Sequence, residues 1–385
     1  MAIYLNNGAT TWPKPECVPR AMYDFLVGGG ANLARGSAGS RDIGTLDMVA
    51  TAREKLAALF GGYEGEDSRY VSFTANVTEA LNIVLKGYLR KGHHVVTTSM
   101  EHNAVVRPLR RLEEEGVRLS ILPCSTAGEL DPQVLDEILV KEETHMVVLS
   151  HASNVCGTIQ PLEEIARICH GRGVPLVLDA AQTGGVLDID AKKLELAALC
   201  FTGHKGLLGP QGIGGILWKP EFAEKVAPFV EGGTGSFSDK ERQPLIMPDK
   251  FEAGTPNLPG IAGLSRAVDW IMETGCVTIR RREETLGRQL LEGLAGIKKL
   301  KMYGKDTMEG RLPVFAVNPP GGDNGTLAMR LVDEWGIETR PGLHCAPLAH
   351  KTLGSFPRGA LRISVGYFNS EEEIEKAVTA LERLL

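Results

Sequence analysis

The 385-residue chain is 43% hydrophobic, which is ample for sizeable cores in two or three structural units. Its 42 basic and 48 acidic residues leave a formal net charge of −6 without blocks of like sign, arguing against nucleic acid or an anionic membrane as main partner. The seven cysteines are scattered without a Cys-x-x-Cys pair, no apolar stretch is long enough to span a bilayer, and the start lacks a secretion signal. The expected compartment is therefore the reducing cytoplasm, with neither a disulfide framework nor a zinc ribbon.

A short N-terminal strand gives way to Gly8-Ala9-Thr10-Thr11-Trp12-Pro13, and Pro15 is placed to open a helix reaching residue 27. After a Gly-rich break, Leu46, Val49, Leu56, Leu59 and Phe60 recur at helical spacing and predict a helix over 45–60. Strands are expected at 70–73, 94–97, 117–122, 146–150, 175–179, 198–201 and 213–218. Helices at 77–88, 103–115 and 161–170 separate several of them. Such alternation means an α/β fold with a mainly parallel, seven-stranded sheet covered on both faces, and ligands at the carboxyl ends of its strands. Residues 231–248 read as a long ordered loop. Beyond it, helices at 260–274, 277–295, 326–335 and 371–384 and strands at 313–317, 337–340 and 360–365 describe a smaller α+β unit. The expected division is a large domain over 15–255 and a small one built from 1–14 and 256–385.

The strand at 198–201 delivers Thr202-Gly203-His204-Lys205-Gly206 into a loop where side chains are sparse. A desolvated lysine amine is the group that forms a Schiff base with a carbonyl compound or with pyridoxal phosphate. A surface lysine in a Gly-rich turn is the plain alternative. Asp179 ends the most apolar strand, where a carboxylate could keep a pyridine nitrogen protonated or merely cap a turn. Asn76-Val77-Thr78-Glu79 turns a strand into a helix whose first amides can face an anion, with the Thr78 hydroxyl beside them. His102 and Asn154 each follow a strand at the same end of the sheet; an imidazole there can stack on an aromatic ring or serve as a cap.

None of the nine histidines shows metal-ligand spacing, so no metal site is expected. Cys345, beside His344 in a polar Gly- and Pro-bearing loop, is a candidate low-pKa nucleophile. Arg362 lies inside the apolar run Leu361-Arg362-Ile363 and calls for an anionic partner, either a ligand carboxylate or a structural ion pair.

Together these segments resemble the cysteine desulfurase and selenocysteine lyase family within the class-V aminotransferase group of fold-type-I pyridoxal-phosphate enzymes. The resemblance rests on Tyr4 to Thr10, Phe73 to Ala80, Glu101-His102-Asn103, Ser153-Asn154, Asp179 to Gln182, Thr202 to Lys205, Glu252 to Asn257, Arg340 to Ala346 and Arg362 to Asn369. The compact Cys345 loop is similar to that of the second desulfurase group. The resemblance implies that Lys205 carries pyridoxal 5'-phosphate, His102 stacks on its ring, Asp179 pairs with its ring nitrogen, and Asn154 and Gln182 contact its ring oxygen. Val77, Thr78, Thr202 and His204 would hold the phosphate, with Thr255 reaching it from the other subunit of a homodimer. Arg362, with Asn32, Arg340 and Ala9, would bind the amino-acid substrate, L-cysteine or L-selenocysteine. Cys345 would accept sulfur and pass it to an acceptor, for which a protein is a candidate. Two positions depart from the family pattern: Val77 where a threonine is common, and Leu343 where a histidine is common. Selenocysteine lysis, epimerisation or transamination on the same scaffold, and a non-catalytic cofactor-binding or sulfur-relay role, remain alternative readings.

Overall fold

The computed structural model describes residues 2–33, 39–63 and 68–385; Met1, 34–38 and 64–67 lie outside the described residues. The chain opens with β1 (Ile3–Tyr4), α1 (Cys17–Gly28) and α2 (Ser40–Leu59). It then alternates through β2 (Val71–Thr74), α3 (Val77–Tyr88), β3 (His94–Thr98), α4 (Asn103–Glu114), β4 (Arg118–Leu122), α5 (Pro132–Lys141) and β5 (Met146–Ser150). Next come α6 (Leu162–Gly171), β6 (Leu176–Asp179), β7 (Ala198–Thr202), β8 (Gly214–Trp218) and α7 (Pro220–Lys225).

These seven strands, β2 to β8, form one sheet in the order β2-β8-β7-β6-β5-β3-β4. β8 runs against both its neighbours, and every other pairing is parallel. Successive residues of the central strands feed opposite cores: Leu176, Leu178 and Leu199 on one face, Val177, Ala198 and Cys200 on the other. Burial on both faces is why these strands read as unbroken apolar runs. The fold is the expected α/β architecture with a mostly parallel seven-stranded sheet.

The remaining elements are α8 (Leu258–Thr274), α9 (Cys276–Gly296), β9 (Lys301–Tyr303), β10 (Val314–Asn318), α10 (Asn324–Trp335), β11 (Ile337–Glu338), β12 (Arg340–Gly342), α11 (Pro347–Thr352), β13 (Ala360–Ser364) and α12 (Glu371–Leu384). An antiparallel sheet, β12-β13-β10-β9, packs its core against α9, α10 and α12, and β1 pairs with β11. The strand expected at 337–340 is split: β11 pairs with the N-terminus and β12 with β13. Leu258, Ile261, Leu264 and Val268 of α8 belong to the core of the seven-stranded sheet. α8 thus packs on that core although it lies beyond the expected boundary at residue 256.

The N-terminal arm ties the two sheets together. Asn7 bonds Ser364 on β13 through its backbone amide (3.2 Å), and Thr11 donates its amide to the His204 carbonyl (3.0 Å). The segment before α8 is held by Glu252, whose carboxylate takes a bidentate pair of bonds from buried Arg53 (2.7 and 2.6 Å) and the Phe73 amide (2.6 Å). Glu252→Ala would leave the Arg53 guanidinium buried and unpaired, a loss of about 3 kcal/mol. We expect this as a lowered urea midpoint at unchanged m-value; a midpoint equal to wild type would show that the pair does not anchor this segment.

Candidate active site

The carboxyl ends of β3, β5, β6 and β7 converge, and each delivers a polar residue there. β6 ends on Asp179, whose Oδ1 accepts the Ala181 amide (2.9 Å). Burial raises its pKa, opposed by that bond, by nearby Lys205 and by Ser150. Behind it lies Glu101, fully buried, accepting from Thr98 Oγ1 (2.6 Å) and from the Ser150 amide and hydroxyl (both 2.9 Å). Burial pushes Glu101 up to about 7. The Ser150 hydroxyl also stands 3.4 Å from Asp179 Oδ2, so two buried carboxyl groups share one serine.

Lys205 follows β7. Burial lowers its pKa to about 8; Asp179 opposes that shift, while Arg362 and Arg340 reinforce it. Its loop is strapped from the N-terminal arm: the His204 carbonyl accepts from Thr10 Oγ1 (3.1 Å) and Lys14 Nζ (2.9 Å), and the Lys205 carbonyl from Thr11 Oγ1 (3.1 Å). Sequence reading missed Lys14. Two other groups of this loop, Thr202 Oγ1 and His204 Nδ1, are buried with no hydrogen-bond partner. Buried polar atoms are rarely left so, and their position calls for a ligand acceptor or donor.

α3 begins at Val77 because Asn76 caps it, taking the Glu79 amide on its side chain (3.1 Å). That cap and the Ala80 bond to the Asn76 carbonyl leave the Val77 and Thr78 amides at the open end of the helix, where the dipole favours an anion. His102 caps α4 by accepting the Ala104 amide on Nδ1 (3.0 Å), so its proton sits on Nε2; burial and the cations around it hold its pKa down to about 4. Asn154 spends one amide hydrogen on the His344 carbonyl (2.8 Å), and Gln182 bonds the Gly8 carbonyl (3.2 Å). Ala9, next along, is half-buried.

Arg362 on β13 is 1% exposed. Its partners are the Asn154 carbonyl and Asn6 Oδ1 (both 2.9 Å), its Nε has none, and among the described residues no carboxylate pairs with it. Arg340 sits directly across the β12–β13 ladder from it. The alternative reading of a structural ion pair finds no partner among the described residues, and burial with a second guanidinium nearby lowers Arg362 to about 9. Arg340 Nη2 lies 4.0 Å from Cys345 Sγ. Cys345 is exposed, and it lines a cleft of about 320 Å³ with Thr78, His102 and Arg107. Both His344 (φ 50°) and Cys345 (φ 57°) adopt left-handed backbone, costing roughly 1–2 kcal/mol per residue.

The structure therefore brings together Val77, Thr78, His102, Asn154, Asp179, Gln182, Thr202, His204, Lys205, Arg340, Cys345 and Arg362. Asn32 and Thr255 are exposed and line a separate cleft of about 760 Å³ with Arg53 and Thr234. Among the described residues no cluster of metal-ligating side chains is present, and no helix is long and apolar enough to cross a membrane.

Residues 3–377 match the class-V aminotransferase family. A probable cysteine desulfurase of Methanothermobacter thermautotrophicus is 33% identical over 99% of this chain and 94% of its own length. The cysteine desulfurase of Dickeya dadantii is 32% identical over 99% and 91%. Among solved structures, a cysteine desulfurase from Thermococcus onnurineus superposes with a TM-score of 0.92 at 30% identity, covering 100% of this chain and 94% of that one. The Escherichia coli cysteine desulfurase CsdA gives 0.86 at 27%, covering 99% and 94%. With that match spanning almost its whole length and relatives of this kind on every side, the chain belongs to the class-V aminotransferase family, alongside its cysteine desulfurases.

Proposed function

We propose that the protein is a cytoplasmic, homodimeric, pyridoxal-phosphate-dependent cysteine desulfurase, converting L-cysteine to L-alanine and taking the sulfur on Cys345. The observation that carries this reading is Arg362, a buried guanidinium without a carboxylate partner among the described residues, close enough to act on Lys205 together with Arg340 and Cys345. Such a cation needs an anion from outside the chain, and its planar fork suits an amino-acid carboxylate.

The residues present also fit the cofactor. Thr202 Oγ1 and His204 Nδ1, both buried and unpartnered, would hold its phosphate with the free amides of Val77 and Thr78. Asp179 would pair with the ring nitrogen, His102 would lie on the ring, and Asn154 and Gln182 would approach the ring oxygen. When bound, pyridoxal phosphate supplies the electron sink that makes the substrate Cα proton removable. Arg362 fixes the carboxylate, with Arg340 adding positive charge. Lys205 Nζ, a free amine above about pH 8, takes the Cα proton.

The Cys345 thiolate, beside Arg340, attacks the substrate sulfur. An S–S bond forms, the Cβ–S bond breaks, and the electron pair left on Cβ is protonated to give the methyl group of alanine. The resulting persulfide goes to an acceptor thiol. Thr255, exposed and outside this pocket, would reach the phosphate of a second copy. Exposed Tyr23, Leu26, Val27 and Ile246 supply apolar surface for that pairing.

Three outcomes test the reading. Arg362→Ala should raise KM for L-cysteine near a hundredfold, about 3 kcal/mol of lost carboxylate binding; an unchanged KM would assign the substrate carboxylate elsewhere. Because burial disfavours the Lys205 ammonium, covalent uptake of pyridoxal phosphate should accelerate with pH and level off above about 8. A midpoint near that of an ordinary lysine, about 10.4, would contradict it. Cys345→Ser should stop alanine and sulfide formation from L-cysteine while keeping the cofactor absorbance. Retained cysteine turnover would dismiss Cys345 as acceptor, and turnover of L-selenocysteine alone would mark a selenocysteine lyase.

A further inference from the structure

A series of three polar side chains, His344, His350 and Ser355, stands behind the Cys345 loop. His344 Nε2 lies 2.9 Å from the Arg340 carbonyl, and His344 Nδ1 lies 3.1 Å from His350 Nε2. On the far side, His350 Nδ1 lies 2.7 Å from Ser355 Oγ. All three residues are buried, His350 completely. Burial holds both imidazoles far below the ordinary histidine value, at about 3 for His344 and about 4 for His350, so each ring carries one hydrogen.

The donors can then be arranged in only one way. A carbonyl oxygen accepts, so the His344 hydrogen is on Nε2 and its Nδ1 is a lone pair. That lone pair must be met by N–H on His350 Nε2, which makes His350 Nδ1 a lone pair in turn. The Ser355 hydroxyl donates to it. Both nitrogens of His344 are thereby consumed, so His344 is no base for the adjacent thiol, contrary to the simplest reading of the His344-Cys345 pair. The series ends at a carbonyl and cannot carry a proton to Cys345.

What it does is hold shape. His344 and Cys345 are consecutive non-glycine residues in left-handed backbone, a conformation that persists only where surroundings over-determine it. The loop backbone is fastened by Ala346 N to the Leu343 carbonyl (2.8 Å), Asn103 N to the Cys345 carbonyl (2.7 Å) and Asn154 Nδ2 to the His344 carbonyl (2.8 Å). The His344 ring anchors the turn from within, and His350 holds that ring from α11. α11 is itself tied to the end of β3 through Thr352 Oγ1 and Ser99 Oγ (2.8 Å).

We propose that His350 is a positioning residue for sulfur transfer: with Ser355 behind it, it locks the His344 ring and so keeps the Cys345 loop in its left-handed turn. The link to catalysis rests on the reading of Cys345 as sulfur acceptor; the structural lock does not. His350→Gln keeps an N–H donor for His344 Nδ1, whereas His350→Leu fills the space and leaves that nitrogen buried and unmet.

The experiment compares these holoenzyme variants by amide hydrogen exchange at Ala346 and Asn103 and by the kcat and KM of sulfide release from L-cysteine. In His350→Leu both amides should exchange at least tenfold faster and kcat should fall at least tenfold, with KM and cofactor absorbance within about twofold of wild type. His350→Gln should restore exchange and kcat to within about threefold. If His350→Leu fails to fold, Ser355→Ala supplies the same comparison, with exchange and kcat each changed a few-fold. Wild-type exchange at both amides in a folded His350→Leu, or in Ser355→Ala where that is the variant compared, overturns the lock. So does loss of activity in His350→Gln equal to that in His350→Leu. Fast exchange with unchanged kcat overturns the catalytic link. A Cys345→Ser enzyme that still releases sulfide removes the acceptor reading and leaves the exchange result to judge the lock.

Discussion

The pocket is organised by a surplus of positive charge. Arg362 and Arg340 both push Lys205 down, Arg340 does the same to Arg362, and Asp179 is the acidic group that opposes the shift at Lys205. Two arginines facing across one ladder rung would ordinarily repel, and Arg362 is offered only neutral oxygens. A folded chain tolerates this when anions complete the site. The arrangement therefore predisposes the pocket toward a phosphate, a carboxylate and a thiolate at once, each of which relieves part of the imbalance. It also explains why a lysine amine is available near neutral pH, since the surrounding cations and burial act on it in the same direction.

Holding such a pocket together against its own repulsion falls mainly to uncharged groups, with Lys14 as the exception. The N-terminal arm aims an amide, two hydroxyls and the Lys14 amine at two consecutive carbonyls of the Lys205 loop. On the other side, backbone bonds and the His344–His350–Ser355 series fasten the Cys345 loop. Asn154 and Asn6 join the two halves by bracketing Arg362, and Asn154 at the same time holds the His344 carbonyl. The amine and the thiol are thus fixed relative to one another through amides and imidazoles that remain neutral.

Much of this was legible in the sequence because the sheet speaks plainly. Strands buried on both faces read as apolar runs, and the residue ending each run lands at the functional end; Asp179 and Lys205 were identifiable on that ground. α5 was missed although its signals are present: Asp131 caps it by accepting the Gln133 amide, and Pro132 sits at its first turn. α11 has six residues, too few for a helical period to show. His350, Ser355 and Lys14 left no pattern at all, since their roles depend on contacts that only the folded chain creates. The arginine in β13 was read as calling for an anion and Arg340 was named with it, but that the two face each other across one ladder rung became visible only with the strand register.

The paired carboxyl groups below the pocket follow from hydrogen counting. Ser150 has one hydroxyl hydrogen and two acidic neighbours, Glu101 at 2.9 Å and Asp179 at 3.4 Å. While Glu101 is ionised, the shorter contact takes that hydrogen. Asp179 then keeps a donor on Oδ1, from Ala181, and is left with an open acceptor on Oδ2. When Glu101 is protonated, its own hydrogen can turn to Ser150 and release the serine hydrogen toward Asp179. Glu101 therefore sets how strongly Asp179 draws a proton or a positive charge from the pocket above. Asp179 is a stronger acceptor with Glu101 charged behind it than it would be alone, and this is the condition under which a buried aspartate best holds a protonated nitrogen in place.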